Sequence, residues 1–117
     1  METKFDALNV AYELMSTLRP VLEKLERMDR NLADQARRAI SSVGLNLEEA
    51  QHRKGMDRTN RWRIAGGSAA EVRAALRIAL SWGYLGPDDV TVPLQLLDRE
   101  TATLYRLANP RSNPKAA

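Results

Sequence analysis

The strongest constraint on this chain is the spacing of its apolar residues. They recur every three or four positions in four successive segments, and no segment sustains the alternation of a strand. The first segment runs from about Lys4 to Met28, with Leu8, Tyr12, Met15, Leu18, Leu22, Leu25 and Met28 on one face. Pro20 lies inside it, which predicts a kinked helix, with two shorter helices as the alternative. Asp29-Arg30-Asn31 punctuates the chain, and a second helix is expected over residues 32–53, with Leu32, Ala36, Ala39/Ile40, Val43, Leu47 and Ala50 inward. Gly44 within it costs about 1 kcal/mol relative to Ala and signals a close contact. A third helix is expected over 59–82, ended by Gly83. A fourth covers 90–107, with Leu94, Leu97, Thr101, Leu104 and Tyr105 as its face and Pro93 in its first turn. The tail, 108–117, has two prolines and no periodic apolar residues, and is expected to be disordered. Helices of similar length joined by short turns predict an all-α, antiparallel up-down-up-down four-helix bundle over residues 1–107.

The third helix is apolar on too many sides. Trp62, Ala65, Ala69, Val72, Leu76 and Ala79 form one seam. Ile64, Ser68, Glu71, Ala75, Ile78 and Trp82 form a second, and Gly67, Ala70, Ala74 and Ser81 a third. One stripe suffices for an ordinary bundle helix. The excess points to a central helix or a subunit interface, so a homo-oligomer is expected. Within this helix the run RIAGGSAAE (63–71) reads locally as a loop followed by a capping box, Ser68-x-x-Glu71. The seams nevertheless pass through Gly66 and Gly67 in phase. The pair is therefore read as a packing device, with Ala70 and Ala74, at a cost of about 2 kcal/mol in helix propensity. Gly67→Leu is then expected to disrupt packing or assembly. A phosphate-cradling loop would need a preceding strand and a Gly-Lys-Ser/Thr, and neither is present.

Charge is uneven. The chain carries 18 Lys+Arg against 15 Asp+Glu, a net +3. Arg53, Lys54, Arg58, Arg61, Arg63, Arg73 and Arg77 face only Asp57 and Glu71 within residues 51–77, so this stretch alone holds +5. Arginine's planar fork suits phosphate and carboxylate. Arg53, Lys54, Arg58, Arg61 and Arg63 are the candidate nucleic-acid-binding residues; a solvated charged turn is the alternative. Trp62 is the one aromatic interleaved with them, which favours phosphate contact over base stacking.

Other chemistry is thinly represented. The chain has no cysteine, which removes disulfides, thiol catalysis and cysteine-ligated metal. The start of the chain is amphipathic and charged rather than signal-like, and no apolar run is long enough to span a membrane, so a cytoplasmic protein without membrane contact is expected. Glu49-Ala-Gln-His52 has the Glu-x-x-His spacing of di-iron bundles, but such sites need it twice and this chain has one histidine. His52 is read with the basic patch; no metal and no cofactor are expected. Asn46, Glu49 and Glu71 lie near the apolar faces and are read as a structural polar network, with Arg38 or Arg73 as partners, rather than as acid–base catalysts. No nucleophile accompanies them, so the chain is read as a non-enzyme.

The run DQARRAISSVGLNLEEAQHRKGMDRTNRWRIAGGSAAEVRAALRIALSWGYL (34–85) resembles the four-helix-bundle family of proteins encoded in intervening sequences of 23S ribosomal RNA. The accessory proteins of diversity-generating retroelements are structural relatives of that family. The resemblance rests on Asp34, Gln35, Arg38, Ala39, Ser42, Asn46, Glu49, Arg53, Ala65, Gly67, Ser68, Glu71, Gly83, Tyr84 and Leu85. It departs from the family pattern where Glu48-Glu49-Ala50 replaces Ala-Glu-Gly, where Gly66 replaces a larger apolar residue, and where Arg61, Trp62 and Arg63 largely replace the aromatic or apolar residues usual before it. The resemblance implies a homo-oligomer, a pentamer most often. It further implies RNA or DNA, or a nucleic-acid enzyme such as a reverse transcriptase, as partner. The alternative is a structural or protein-interaction module whose arginines meet acidic partners.

Overall fold

The computed structural model of the protein describes residues 4–110. Four helices and no strand occur among them: α1 (Lys4–Met28), α2 (Arg30–Ala50), α3 (Gly55–Trp82) and α4 (Pro87–Ala108). Each helix packs on its neighbour in sequence, and α4 closes back on α1. The body is elongated, 46 × 23 × 18 Å. That length follows from α3, whose 28 residues at about 1.5 Å each span roughly 42 Å.

The core is a single cluster of small and branched aliphatic side chains. α1 contributes Ala7, Val10, Ala11, Leu14, Leu18, Leu22 and Leu25, all buried. The inward stripe of its first half is thus rotated by one residue from the expected one. Leu8 and Met15 sit at the margin, and Tyr12 and Met28 are exposed. Two parallel apolar registers exist in this half, and the one with the smaller residues lets α2 approach. Tyr12 instead reaches sideways, donating its hydroxyl to the Glu48 carboxylate of α2. That bond, and then burial, raise the Tyr12 pKa above its ordinary value. Pro20 does not divide α1; it sits exposed within one continuous helix, where only a single backbone donor is lost.

α2 buries Ala33, Ala36, Ala39, Ile40, Val43, Gly44, Leu47 and Ala50, close to the expected stripe. It starts earlier than expected, because Asp29 alone separates it from α1. Asp29 takes an extended conformation and its carboxylate accepts from the Leu32 N–H at 3.0 Å. This satisfies one of the amide donors that a helix start leaves open. Gly44 marks the close contact its position signalled: a Cβ there would lie 2.6 Å from the Met15 methyl.

α3 passes through Gly66 and Gly67 without a break. It begins at Gly55, with φ 59°, rather than at Thr59. The helix ends where expected. Gly83 adopts φ 77°, and the Tyr84 N–H reaches back to the Ala79 carbonyl at 2.9 Å. A side chain at that left-handed position is strained, so glycine is the fitting residue. Only one of the three seams of α3 is buried: Ala65, Ala69, Val72, Leu76 and Ala79, with Ala75 beside them. Gly67, Ala70, Ala74 and Ser81 are exposed, as are Ile64 and Ile78.

α4 starts at Pro87, three residues before the expected start. Asp89 folds back to accept from the Gly86 N–H at 2.8 Å, and Pro87 suits the first helical position. Pro93 accordingly lies inside the helix and is buried, not in its first turn. The inward face is Val90, Pro93, Leu97, Glu100, Thr103, Leu104 and Ala108. Tyr105, expected on that face, is 64 % exposed. Most of the expected tail, residues 111–117, lies outside the described residues.

Candidate nucleic-acid interface

The α2–α3 connection places five candidate side chains at one end of the bundle. Arg53 is the member with carboxylate partners. Its guanidinium bridges Glu49 at 3.1 Å and Asp57 at 3.0 Å, and these bonds raise its pKa further. The other four have no carboxylate within ion-pair distance among the described residues. Arg58 donates to the Arg53 carbonyl at 2.8 Å and lies 5.8 Å from the centre of the Trp62 ring, a cation–π distance. Arg61 donates to the Asn46 side-chain oxygen at 3.3 Å. Arg63 reaches the Ala108 carbonyl at the end of α4, at 3.4 Å, where the helix dipole favours a cation. Lys54 is exposed in the connection itself. Neutral acceptors orient these guanidinium groups without cancelling their charge.

The expected polar network is assembled differently. Asn46 is at its centre, donating to the Ser42 carbonyl at 2.9 Å and to the Ser42 hydroxyl at 3.1 Å. Ser42 pairs with Ser68 of α3 at 2.8 Å. The network thus ties α2 to α3 through Ser42, Asn46, Ser68 and Arg61. Glu49 and Glu71 stand outside it, both exposed; Glu49 pairs with Arg53, and Arg73 pairs with Asp98 of α4 at 3.0 Å rather than with Glu71. Ser68 therefore joins two helices in mid-span and caps nothing.

The residues read as a packing device also find few partners within the chain. A Cβ on Gly66 would meet Leu104 at 3.7 Å, an ordinary contact, and a Cβ on Gly67 would meet nothing within 4 Å. Ala70 and Ala74 are exposed. Gly66, Gly67 and Ala70 floor an open groove of about 300 Å³ between α3 and α4, walled by Trp62, Arg63, Arg73 and Tyr105.

Glu100 is the residue that sequence reasoning missed. It is fully buried on α4, near buried Thr103. Its signal was available: position 100 continues the inward series 93, 97, 100 and 104. Among the described residues no three His, Cys, Asp or Glu side chains gather as metal ligands would, and His52 is exposed. No helix among them is long and apolar enough to cross a membrane.

A family model, that of the 23S rRNA-intervening sequence proteins, matches residues 3–106, nearly the whole bundle. The chain belongs to that family. No curated protein and no solved structure matches it closely enough to add to this. Membership in the 23S rRNA-intervening sequence family agrees with the four helices seen here, and it assigns no chemistry to the basic end.

Proposed function

We propose that this chain is a non-enzymatic, cytoplasmic protein that binds RNA or DNA, or a nucleic-acid enzyme such as a reverse transcriptase, through its arginine-rich end. The observation that carries the reading is the absence of carboxylate partners for Lys54, Arg58, Arg61 and Arg63 among the described residues, at an end where Arg53 alone is neutralised. Such charges attract polyanions and release condensed counterions on contact. The helices run antiparallel, up-down-up-down, so that the start of α3 and the end of α4 share this end. The chain assembles into a homo-oligomer, with the pentamer expected by family resemblance. Support comes from the outward strip of α3, where Ile64 (42 % exposed), Ala74 and Ile78 (46 % exposed) are uncovered in a single chain. Repetition of the basic end around an assembly multiplies its field.

Fluorescence anisotropy with a random-sequence oligonucleotide tests the binding. Affinity is expected to fall linearly in log–log form as salt rises. Absence of binding in low salt sinks the reading. Light scattering tests the assembly, and a monomeric mass at micromolar concentration sinks that part. The same outward strip favours a second reading, a protein-interaction module with no nucleic-acid role. Assembly without any salt-dependent oligonucleotide binding is its signature.

A further inference from the structure

The groove between α3 and α4 has a composition that the basic end alone does not explain. Its floor is nearly free of side chains, because Gly66, Gly67 and Ala70 follow one another along α3. Among the described residues nothing lies within 4 Å of where a Gly67 Cβ would stand. Tyr105 projects from α4 beside the floor, 64 % exposed, although a buried face was open to it one residue away at Leu104. Trp62 forms one wall, and its indole N–H is buried with no acceptor among the described residues. Arg63 and Arg73 stand in the walls, and among the described residues no carboxylate lines the groove. Arg73 is held only by an exposed pair with Asp98, a contact of little net worth that an incoming anion can replace.

These features suit one ligand chemistry, a planar heterocycle carrying a phosphate. A flat ring needs a floor without side chains and an aromatic face to stack on. Its phosphate needs arginine, and Arg63 has no carboxylate partner among the described residues while Arg73 has only an exposed pair with Asp98. At about 300 Å³ the groove lies at the small end of ligand sites, enough for a single ring system. Arg58, stacked on Trp62, makes the groove continuous with the basic end. We propose that the α3–α4 groove binds one base of a single-stranded nucleic acid, stacked on Tyr105, with Arg63 and Arg73 holding the adjoining phosphates. The inference rests on the nucleic-acid reading above and adds to it a strand preference: single strands over duplex, and bases over bare backbone. Trp62 alone would not supply this preference; Tyr105 joins it only through the packing of α4 on α3.

The test uses the full chain with Trp82→Phe, which leaves Trp62 as its single tryptophan. Three probes are titrated in low salt: a short oligothymidylate, an abasic strand of the same length, and a duplex. The oligothymidylate is expected to quench Trp62 fluorescence and to bind about tenfold more tightly than the abasic strand. Tyr105→Ala should remove that difference, whereas Arg58→Ser should weaken both strands alike. Gly67→Leu, whose side chain enters open space, should block the groove without changing helicity or mass. Equal affinity for the two strands with no quenching overturns the groove while leaving the basic-end reading intact, and so does an indifferent Tyr105→Ala. Loss of assembly in Gly67→Leu overturns it in favour of a second copy of the chain as occupant. Failure of all three probes to bind removes both readings.

Discussion

Two regions of the bundle use the same kinds of side chain to opposite effect. Around the α1–α2 and α3–α4 turns, Lys24 and Arg37 meet acids. Lys24 of α1 pairs with Asp89 of α4 at 2.7 Å, and Arg37 of α2 pairs with Asp34 and with Glu26 of α1. At the end carrying the α2–α3 connection, Arg58, Arg61 and Arg63 are oriented by a carbonyl, an amide oxygen and another carbonyl. The first arrangement fastens helices together. The second holds guanidinium groups in place and leaves their charge for something outside the chain. Net charge alone, a modest +3, conceals this difference.

The largest expected effect breaks the comparison directly. Changing Arg58, Arg61 and Arg63 together to Ser should abolish oligonucleotide retention and lower the salt slope by roughly the number of phosphate contacts removed. The matching change of the paired cations Lys24 and Arg37 to Ser should leave binding unchanged. Equal losses per charge removed from both sets, read by anisotropy across a salt series, would mean that only total charge matters.

At the paired end, Asp29→Ala should cost about 1 kcal/mol in urea unfolding, because the Leu32 N–H loses its cap. A similar effect of opposite sign is expected on the outer face of α3. Gly67→Ala places a methyl group in open space within a helix and should stabilise the chain by up to about 1 kcal/mol. A stabilised chain that still assembles would show that Gly67 is not at a subunit contact; a stabilised chain that no longer assembles would place it in one.

The smallest effect concerns pH. The Lys24 ammonium first, and then the Gly86 N–H, hold the Asp89 carboxyl below its ordinary pKa. A carboxyl whose folded pKa is depressed stabilises the fold above its unfolded value, about 3.9, and loses that contribution as pH falls through the folded value. Asp89→Asn should therefore unfold more easily than the natural chain at neutral pH, by a fraction of a kcal/mol for so exposed a pair. Below about pH 4 the two stability curves should converge. A gap that persists unchanged into acid would show that the carboxylate charge is not what matters at that position.

Much of the fold was legible because helical periodicity is a local property. The inward series of α2 and the buried seam of α3 follow from apolar spacing alone, and Gly83 ends α3 because its backbone suits the left-handed turn. Boundaries were less legible. Asp29 separates two helices by itself because a single capping carboxylate replaces a loop, and Pro87 starts α4 because Asp89 folds back on Gly86. At the candidate site, the basic run was readable as a run. What orients its members was not, since Arg61 meets Asn46 and Arg63 meets the end of α4 only through packing between helices, whereas the Glu49 and Asp57 partners of Arg53 lie four residues away in the chain.

What this sequence determines by itself is therefore its one-dimensional content: four amphipathic helices, a concentration of arginine between the second and third, and a third helix with more small and apolar residues than one stripe needs. The tertiary structure decides how those contents face one another. It leaves Gly67, Ala70 and Ala74 outside the core, links Ser42 to Ser68, buries Glu100, and brings Tyr105 of α4 to the same groove as Trp62 of α3. The physical reason is that periodicity sets which residues share a face of one helix, whereas the neighbours of that face are set by packing between helices far apart in the chain.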